Sequence, residues 1–217
     1  IKTTNRFSGI DWGTENTAIV YDYWWDTRNR KAYVFNPSNS TSKPKVLYDR
    51  NYQDIYSDPG SFLKTRNTFN KSVLMLYKGN AYLRGAGFSK EGQFPFIDKL
   101  NITTLNKSRV YQSKYTDKVE AIQDYNPSTN ELIVRIESPT EYPNYYSKKT
   151  NGKKLSKITD FENPFEELQN VKKEVITYKR DDGLELSGIL YLPVNYDEEK
   201  KEKSPMILWA YPREFKA

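Results

Sequence analysis

Thr17-Ala18-Ile19-Val20-Tyr21-Asp22-Tyr23-Trp24-Trp25 and Lys31-Ala32-Tyr33-Val34-Phe35, parted by turn formers at Asp26 to Asn29, decide how the chain is built. Both runs are rich in aromatic and β-branched side chains, which suit a pleated, half-buried surface. Phe7 to Trp12 forms a run on the N-terminal side, closed by a Trp12-Gly13 turn. On the C-terminal side Asn36-Pro37-Ser38 turns the chain towards a fourth run, Lys45 to Tyr48. Four short strands in succession, each ended by a turn, make one antiparallel unit.

The plan recurs twice. A second unit runs through Phe62 to Thr65, Ser72 to Leu76, Ala81 to Arg84, Phe96 to Ile102 and Arg109 to Gln112. A third comprises Val119 to Tyr125, Glu131 to Glu137, Tyr142 to Ser147 and Lys154 to Ile158. Each closes on a similar short strand: Lys45-Val46-Leu47-Tyr48-Asp49, Arg109-Val110-Tyr111-Gln112-Ser113 and Lys154-Leu155-Ser156-Lys157-Ile158-Thr159. Four antiparallel strands per repeat of roughly 40–60 residues mark the blade of a β-propeller. A β-sandwich is the alternative.

Composition agrees with a mainly all-β chain. Its 217 residues, enough for a sizeable core, are 36% hydrophobic and 15% aromatic, with 11 Pro and 10 Gly punctuating the runs. The net charge is +6 with Lys spread along the chain. Two denser clusters, Lys148-Lys149 with Lys153-Lys154 and Lys200-Lys201 with Lys203, lie in polar turn-like stretches and read as solvated loops. There is no Cys and no His, which removes thiolate and imidazole metal ligands and the usual general base for a Ser or Cys nucleophile. No run approaches the ~20 apolar residues of a membrane span. No metal or other cofactor is expected, and no membrane or nucleic-acid partner.

The texture changes after Phe161. Asn163-Pro164-Phe165-Glu166-Glu167-Leu168 reads as a short helical linker with Pro near its first turn. Glu174 to Tyr178 and Leu184 to Leu192 flank an Asp182-Gly183 turn, a strong hairpin signal. A charged loop from Asn195 to Ser204 leads to Met206-Ile207-Leu208-Trp209-Ala210, apolar without alternation, as expected of a strand buried on both faces of an α/β sheet. The expected domains are a partial propeller of about three blades over 1–160, a linker over 161–172, and over 173–217 the hairpin and first buried strand of an α/β-hydrolase domain.

Tyr178-Lys179-Arg180-Asp181-Asp182-Gly183-Leu184-Glu185-Leu186-Ser187-Gly188 through Pro193, and Pro205 through Tyr211-Pro212-Arg213-Glu214-Phe215-Lys216, resemble the prolyl oligopeptidase family of serine peptidases, most of all its glutamyl endopeptidase-like branch. Trp24-Trp25-Asp26-Thr27-Arg28, Tyr48-Asp49-Arg50, Asp54-Ile55-Tyr56-Ser57-Asp58-Pro59-Gly60-Ser61 and, more weakly, Gln93 to Asp98 share the likeness. The resemblance implies a propeller that caps an α/β-hydrolase domain and admits peptide substrates. It also implies a Ser-Asp-His triad with a Gly-x-Ser-x-Gly elbow. The chain contains neither that elbow nor a His, so it should be inactive alone, an internal fragment of a periplasmic or secreted peptidase.

The resemblance further implies that Tyr211, at the end of the first hydrolase strand, donates to the oxyanion in the intact enzyme. Specificity for acidic residues would need a cation at the pocket; Arg28, Arg30 and Arg213 are the candidates, against solvation or an ion pair within a blade. Asp58-Pro59-Gly60 reads as turn chemistry rather than a metal loop. Gly85-Ala86-Gly87 lacks the context of a phosphate loop. Trp12, Trp24, Trp25 and Trp209 are expected to pack between blades or in the hydrolase core rather than to form a sugar platform. Open blade edges invite self-association. Two rivals stay open: a stand-alone β-rich module binding peptide or glycan, and a basic nucleic-acid binder.

Overall fold

The computed structural model describes residues 1–197, 199–200 and 203–210. Chain contacts divide them into two units, one holding 1–138 and 143–160, the other 139–142 and 161–210. The first unit contains three consecutive antiparallel sheets, the blades of a β-propeller.

The first sheet is β1 (Arg6–Thr14), β2 (Thr17–Trp24), β3 (Asn29–Phe35) and β4 (Lys45–Asn51), in that spatial order. The second is built from β5 (Ser61–Phe62), β8 (Leu76–Tyr77), β9 (Asn80–Gly85), β12 (Phe96–Asn101) and β13 (Lys107–Gln112), ordered β13-β12-β9-β5 with β8 also on β9. Two small ladders interrupt it: β6 (Lys64–Arg66) with β7 (Ser72–Leu74), and β10 (Phe88–Ser89) with β11 (Gly92–Gln93). The third sheet is β14 (Val119–Asn126), β15 (Glu131–Glu137), β16 (Asn144–Lys149) and β17 (Leu155–Lys157), again in order.

The sheets pack face to face. Ile19 and Ala32 of the first meet Phe62, Ala81, Leu83 and Leu100 of the second in one apolar cluster. Tyr82 and Ile97 of the second meet Ile122, Leu132, Val134 and Ile136 of the third in another. A side-chain period of two sends alternate residues of β15 into that layer: Leu132, Val134 and Ile136 are buried and their neighbours are not. Fully burying one such side chain contributes about 1.5–3 kcal/mol, so the stacked layers hold the unit together.

Each blade also buries one carboxylate with partners. Asp22 accepts from the backbone N–H of Thr4 and Asn5, from Asn5 Nδ2 and from the Tyr33 hydroxyl, at 2.9–3.1 Å. Asp98 pairs with Arg109 Nε at 2.5 Å. Glu120 pairs with Lys148 at 3.1 Å and accepts from Tyr111 at 2.6 Å. Burying an unpaired ion would be prohibitive, which is why each arrives with its donors.

The second unit carries a single 3-10 turn over Glu166–Leu168, where the linker helix was expected, and a hairpin of β18 (Lys172–Lys179) and β19 (Glu185–Leu192). Its turn places Gly183 at φ +85°, the left-handed region that glycine enters without cost from a Cβ. Met206 to Ala210 differ from expectation: they lie in no strand, and Ile207, Leu208 and Trp209 are 94%, 82% and 84% exposed. An apolar run is buried only where strands or helices flank it, and none among the described residues does. No α/β-hydrolase sheet is formed by the described residues.

Tryptophans also depart from expectation. Trp12, Trp25 and Trp209 are exposed instead of packed, and Trp24 is half-buried beneath Arg6, whose guanidinium carbon stands 4.8 Å from the ring centroid. Trp12 lies near the end of β1, opposite Ala18, and Trp25 in the turn after β2.

Candidate functional site

Across the first blade, strand register places Gly9, Tyr21, Ala32 and Tyr48 in one row and Tyr23, Arg30 and Arg50 in the next. Residues opposite one another in an antiparallel sheet point to the same face. Gly9 and Ala32 are small, and no atom comes within 4 Å of where a Cβ on Gly9 would sit. The row is therefore a floor with two tyrosines standing from it. The Asp58-Pro59-Gly60 turn and Lys64 close the opposite side, leaving a cleft of about 730 Å³ between the first and second blades.

Gly60 makes that wall tight. Asp58 Oδ1 accepts from the Gly60 N–H at 2.8 Å, the turn chemistry read from the sequence, and Gly60 adopts φ +83°. A Cβ there would stand 2.4 Å from the Arg84 carbonyl oxygen, so only glycine admits this approach to β9.

The cleft's charges are partly spent. Lys64 pairs with Asp11 at 2.5 Å, and Asp11 also accepts from the Tyr21 hydroxyl at 2.9 Å. Arg50 donates to the Asp54 carbonyl and, at 3.3 Å, to the Ser57 hydroxyl. Arg30 instead lies over the Tyr21 ring, 5.3 Å from its centroid, with no carboxylate partner among the described residues. Arg30 and Arg50 are opposite one another in the β3–β4 register, a like-charge cross-strand pairing.

Burial, reinforced by the neighbouring Asp11, pushes the Tyr21 hydroxyl far above its ordinary range; burial likewise raises Tyr48, against the opposing pull of Arg30 and Arg50. Both tyrosines stay protonated and serve as hydrogen-bonding groups. The cleft offers neither an imidazole nor a thiol, since the chain has no His or Cys. Its charged lining is Arg30, Arg50 and Lys64 with Asp11 and Asp58. Among the described residues no cluster of Asp and Glu could hold a metal ion, and no helix is long and apolar enough to cross a membrane.

Of the residues singled out in the sequence, Arg30 lines the cleft and Arg28 does not. Arg28 sits in the β2–β3 turn at φ +56° and donates to the Trp25 carbonyl at 2.5 Å. Tyr211 and Arg213 lie outside the described residues. Tyr21 and Lys64 were missed, and so was the pairing of Arg50 with Arg30. The available signal was the phrase Tyr48-Asp49-Arg50 together with Asp58-Pro59-Gly60-Ser61, which meet across this cleft from two blades.

No family model matches the chain. It is 36% identical over 226 residues to a "Probable glutamyl endopeptidase, chloroplastic" of Oryza sativa subsp. japonica, covering 98% of this chain and 24% of that protein. A protein of the same name from Arabidopsis thaliana is 34% identical over 227 residues, with the same coverage. The chain thus spans about a quarter of the length of the curated relatives it matches. Among solved structures, a dipeptidyl aminopeptidase IV-like protein of Bacteroides ovatus is 17% identical, covering 88% of this chain and 34% of its own, with a TM-score of 0.44. The isopeptidase AtxE2 is 12% identical, covering 91% and 40%, with a TM-score of 0.33. Those two structural likenesses are too slight to carry an assignment.

Proposed function

We propose that the chain, 36% and 34% identical to two proteins named glutamyl endopeptidase, belongs to the glutamyl endopeptidase-like branch of the prolyl oligopeptidase family, and that its blades form the substrate-facing gate of a serine peptidase. The peptide bond is cleaved by a Ser-Asp-His triad that these 217 residues do not contain. The observation that carries the reading is the Arg30–Arg50 pair above Tyr21 and Tyr48 in an open cleft. An Arg guanidinium fits a carboxylate through two parallel hydrogen bonds. The substrate is a peptide bearing Glu or Asp, held at this cleft while the catalytic groups act. Both relatives are named chloroplastic; for this protein a compartment outside the cytoplasm, of which the periplasmic or secreted placement is one version, is the corresponding proposal.

Steady-state kinetics of the parent enzyme test the assignment with matched peptides carrying Glu or Gln at the recognised position. Arg30→Ala should lower kcat/KM for the Glu peptide about 10–100-fold, the worth of one to two charge-assisted bonds, and leave the Gln peptide unchanged. Equal losses on both peptides remove Arg30 from specificity. Tyr211 is assigned the oxyanion donor. Tyr211→Phe in the parent should lower kcat about 100-fold with KM little changed; an unaltered kcat ends that role.

Exposure of Trp12 and Trp25 favours a second reading, a β-rich module that binds peptide or glycan through an aromatic platform. Tryptophan fluorescence quenched by an oligosaccharide would support it, and an unchanged spectrum would dismiss the glycan form.

A further inference from the structure

A second cleft, of about 660 Å³, lies between the outer strand of the second blade and, from the third, Lys148 of β16 with the turn that follows it. Four consecutive residues of β13, Arg109 to Gln112, line it. A bulge at Val110, between Tyr111 opposite Ile97 and Arg109 opposite Asp98, breaks the strand's side-chain alternation within this stretch. β13 ends its sheet and pairs only with β12 among the described residues. Such an edge presents a row of N–H and C=O groups ready to take another strand. The opposite wall is Thr150 to Lys153, the turn after β16.

The charge of this cleft is one-sided. Arg109, Lys114, Lys148 and Lys153 line it and no Asp or Glu does. Asp98 and Glu120, the partners of Arg109 and Lys148, are 2% and 1% exposed and lie behind the wall. Lys148 donates to Tyr111 Oη at 2.8 Å and to Glu120 at 3.1 Å, which leaves one of its three N–H groups without a partner among the described residues. Its ammonium also stands 4.9 and 5.4 Å from the ring centroids of Tyr111 and Tyr115. This network fixes Lys148 at the cleft wall, with Tyr111 held protonated by burial and by its bond to Glu120. Lys114 and Lys153 are exposed and have no ion-pair partner among the described residues.

We propose that this cleft binds an extended acidic peptide segment, which adds to β13 as an outer strand while its carboxylates engage Lys114, Lys148 and Lys153. The open backbone edge selects a peptide over a nucleic acid, which offers no N–H and C=O ladder to the strand. The site is separate from the Arg30 cleft and does not rest on the peptidase reading.

Fluorescence anisotropy of the 217-residue chain with a short labelled peptide alternating Glu and Thr tests it. Three comparison probes are the Gln-Thr peptide, the Glu-Thr peptide N-methylated at its strand-pairing amides, and labelled single-stranded oligothymidylate. The Glu-Thr peptide should bind, weaken as salt is raised, and bind more tightly than all three. Lys114→Gln with Lys153→Gln should weaken it about tenfold, the upper range for two exposed ion pairs, while Lys43→Gln with Lys90→Gln should not. No binding, equal binding by the Gln or N-methylated peptide, tighter binding of the oligonucleotide, or an indifferent double variant would each overturn the proposal. Both lysines are exposed, so circular dichroism should show the variants folded as the parent chain is.

Discussion

β15 and β19 are of similar length and both rich in branched aliphatic residues, yet their side chains meet different fates. In β15, Leu132 and Val134 have no exposed surface and Ile136 has 4%. In β19, Ile189 is 60% and Tyr191 58% exposed, while Leu190 on the other face is half-buried. β15 has strands on both sides and a second sheet over its face; β19 has one partner, β18. A lone two-stranded hairpin is marginal in water because neither of its faces is covered. The blades therefore owe their stability to layers stacked within the chain. The hairpin carries apolar residues on both faces, and what lies within these residues does not cover them.

The largest break in that comparison is a cavity in the stacked layer. Leu132→Ala removes a side chain packed among Tyr82, Ile97 and Val134 and should cost about 2–5 kcal/mol. Equilibrium urea unfolding followed by circular dichroism reads the shift of the midpoint. A loss below about 1 kcal/mol would mean the layer is loosely packed and the contrast with the hairpin is small.

A backbone change sharpens the picture at the seam of the first two blades. Gly60→Ala places a methyl against the Arg84 carbonyl oxygen in a left-handed conformation and should cost about 1–3 kcal/mol. It should also weaken the binding of acidic peptides in the parent enzyme, because the wall facing Arg30 moves. Gly183→Ala in the hairpin turn shares the positive φ but meets no atom within 4 Å, so its cost is the backbone strain alone. Thermal unfolding of the two variants side by side gives the difference.

Much of the architecture was legible because it depends on local chemistry. Glu131–Glu137 was bounded at both ends, and Asp182-Gly183 gave the hairpin its turn. The closing strands of the three units, from Lys45, Lys107 and Leu155, recur because each ends a sheet. The runs Phe62 to Thr65 and Ser72 to Leu76 met β6 and β7, but their pairing as a separate ladder, set by turn bonds such as Asn67 N–H to the Lys71 carbonyl, and the ladder β10–β11 had no signal, because strands of two or three residues have no period. The candidate site was legible only in part. Arg30 was named for its charge, but its place beside Arg50 follows from the β3–β4 register, and Lys64 reaches Asp11 from another blade. Nor does apolar content say what will cover it, as Met206 to Trp209 demonstrate.

The smallest expected effect is the most diagnostic of that last point. Ile189→Ser on the exposed face of β19 should change the stability of this 217-residue chain by less than about 0.5 kcal/mol, because little buried area is lost. In the parent enzyme the same substitution should cost several-fold more, on the order of 1.5–3 kcal/mol, if the remaining sequence covers that face. Hydrogen exchange at the β18–β19 amides reports the two cases separately: fast in the chain, slow in the parent. A hairpin already protected in the chain alone would show that β19 is stable without added cover, and the contrast with β15 would then lie in side-chain exposure and not in stability.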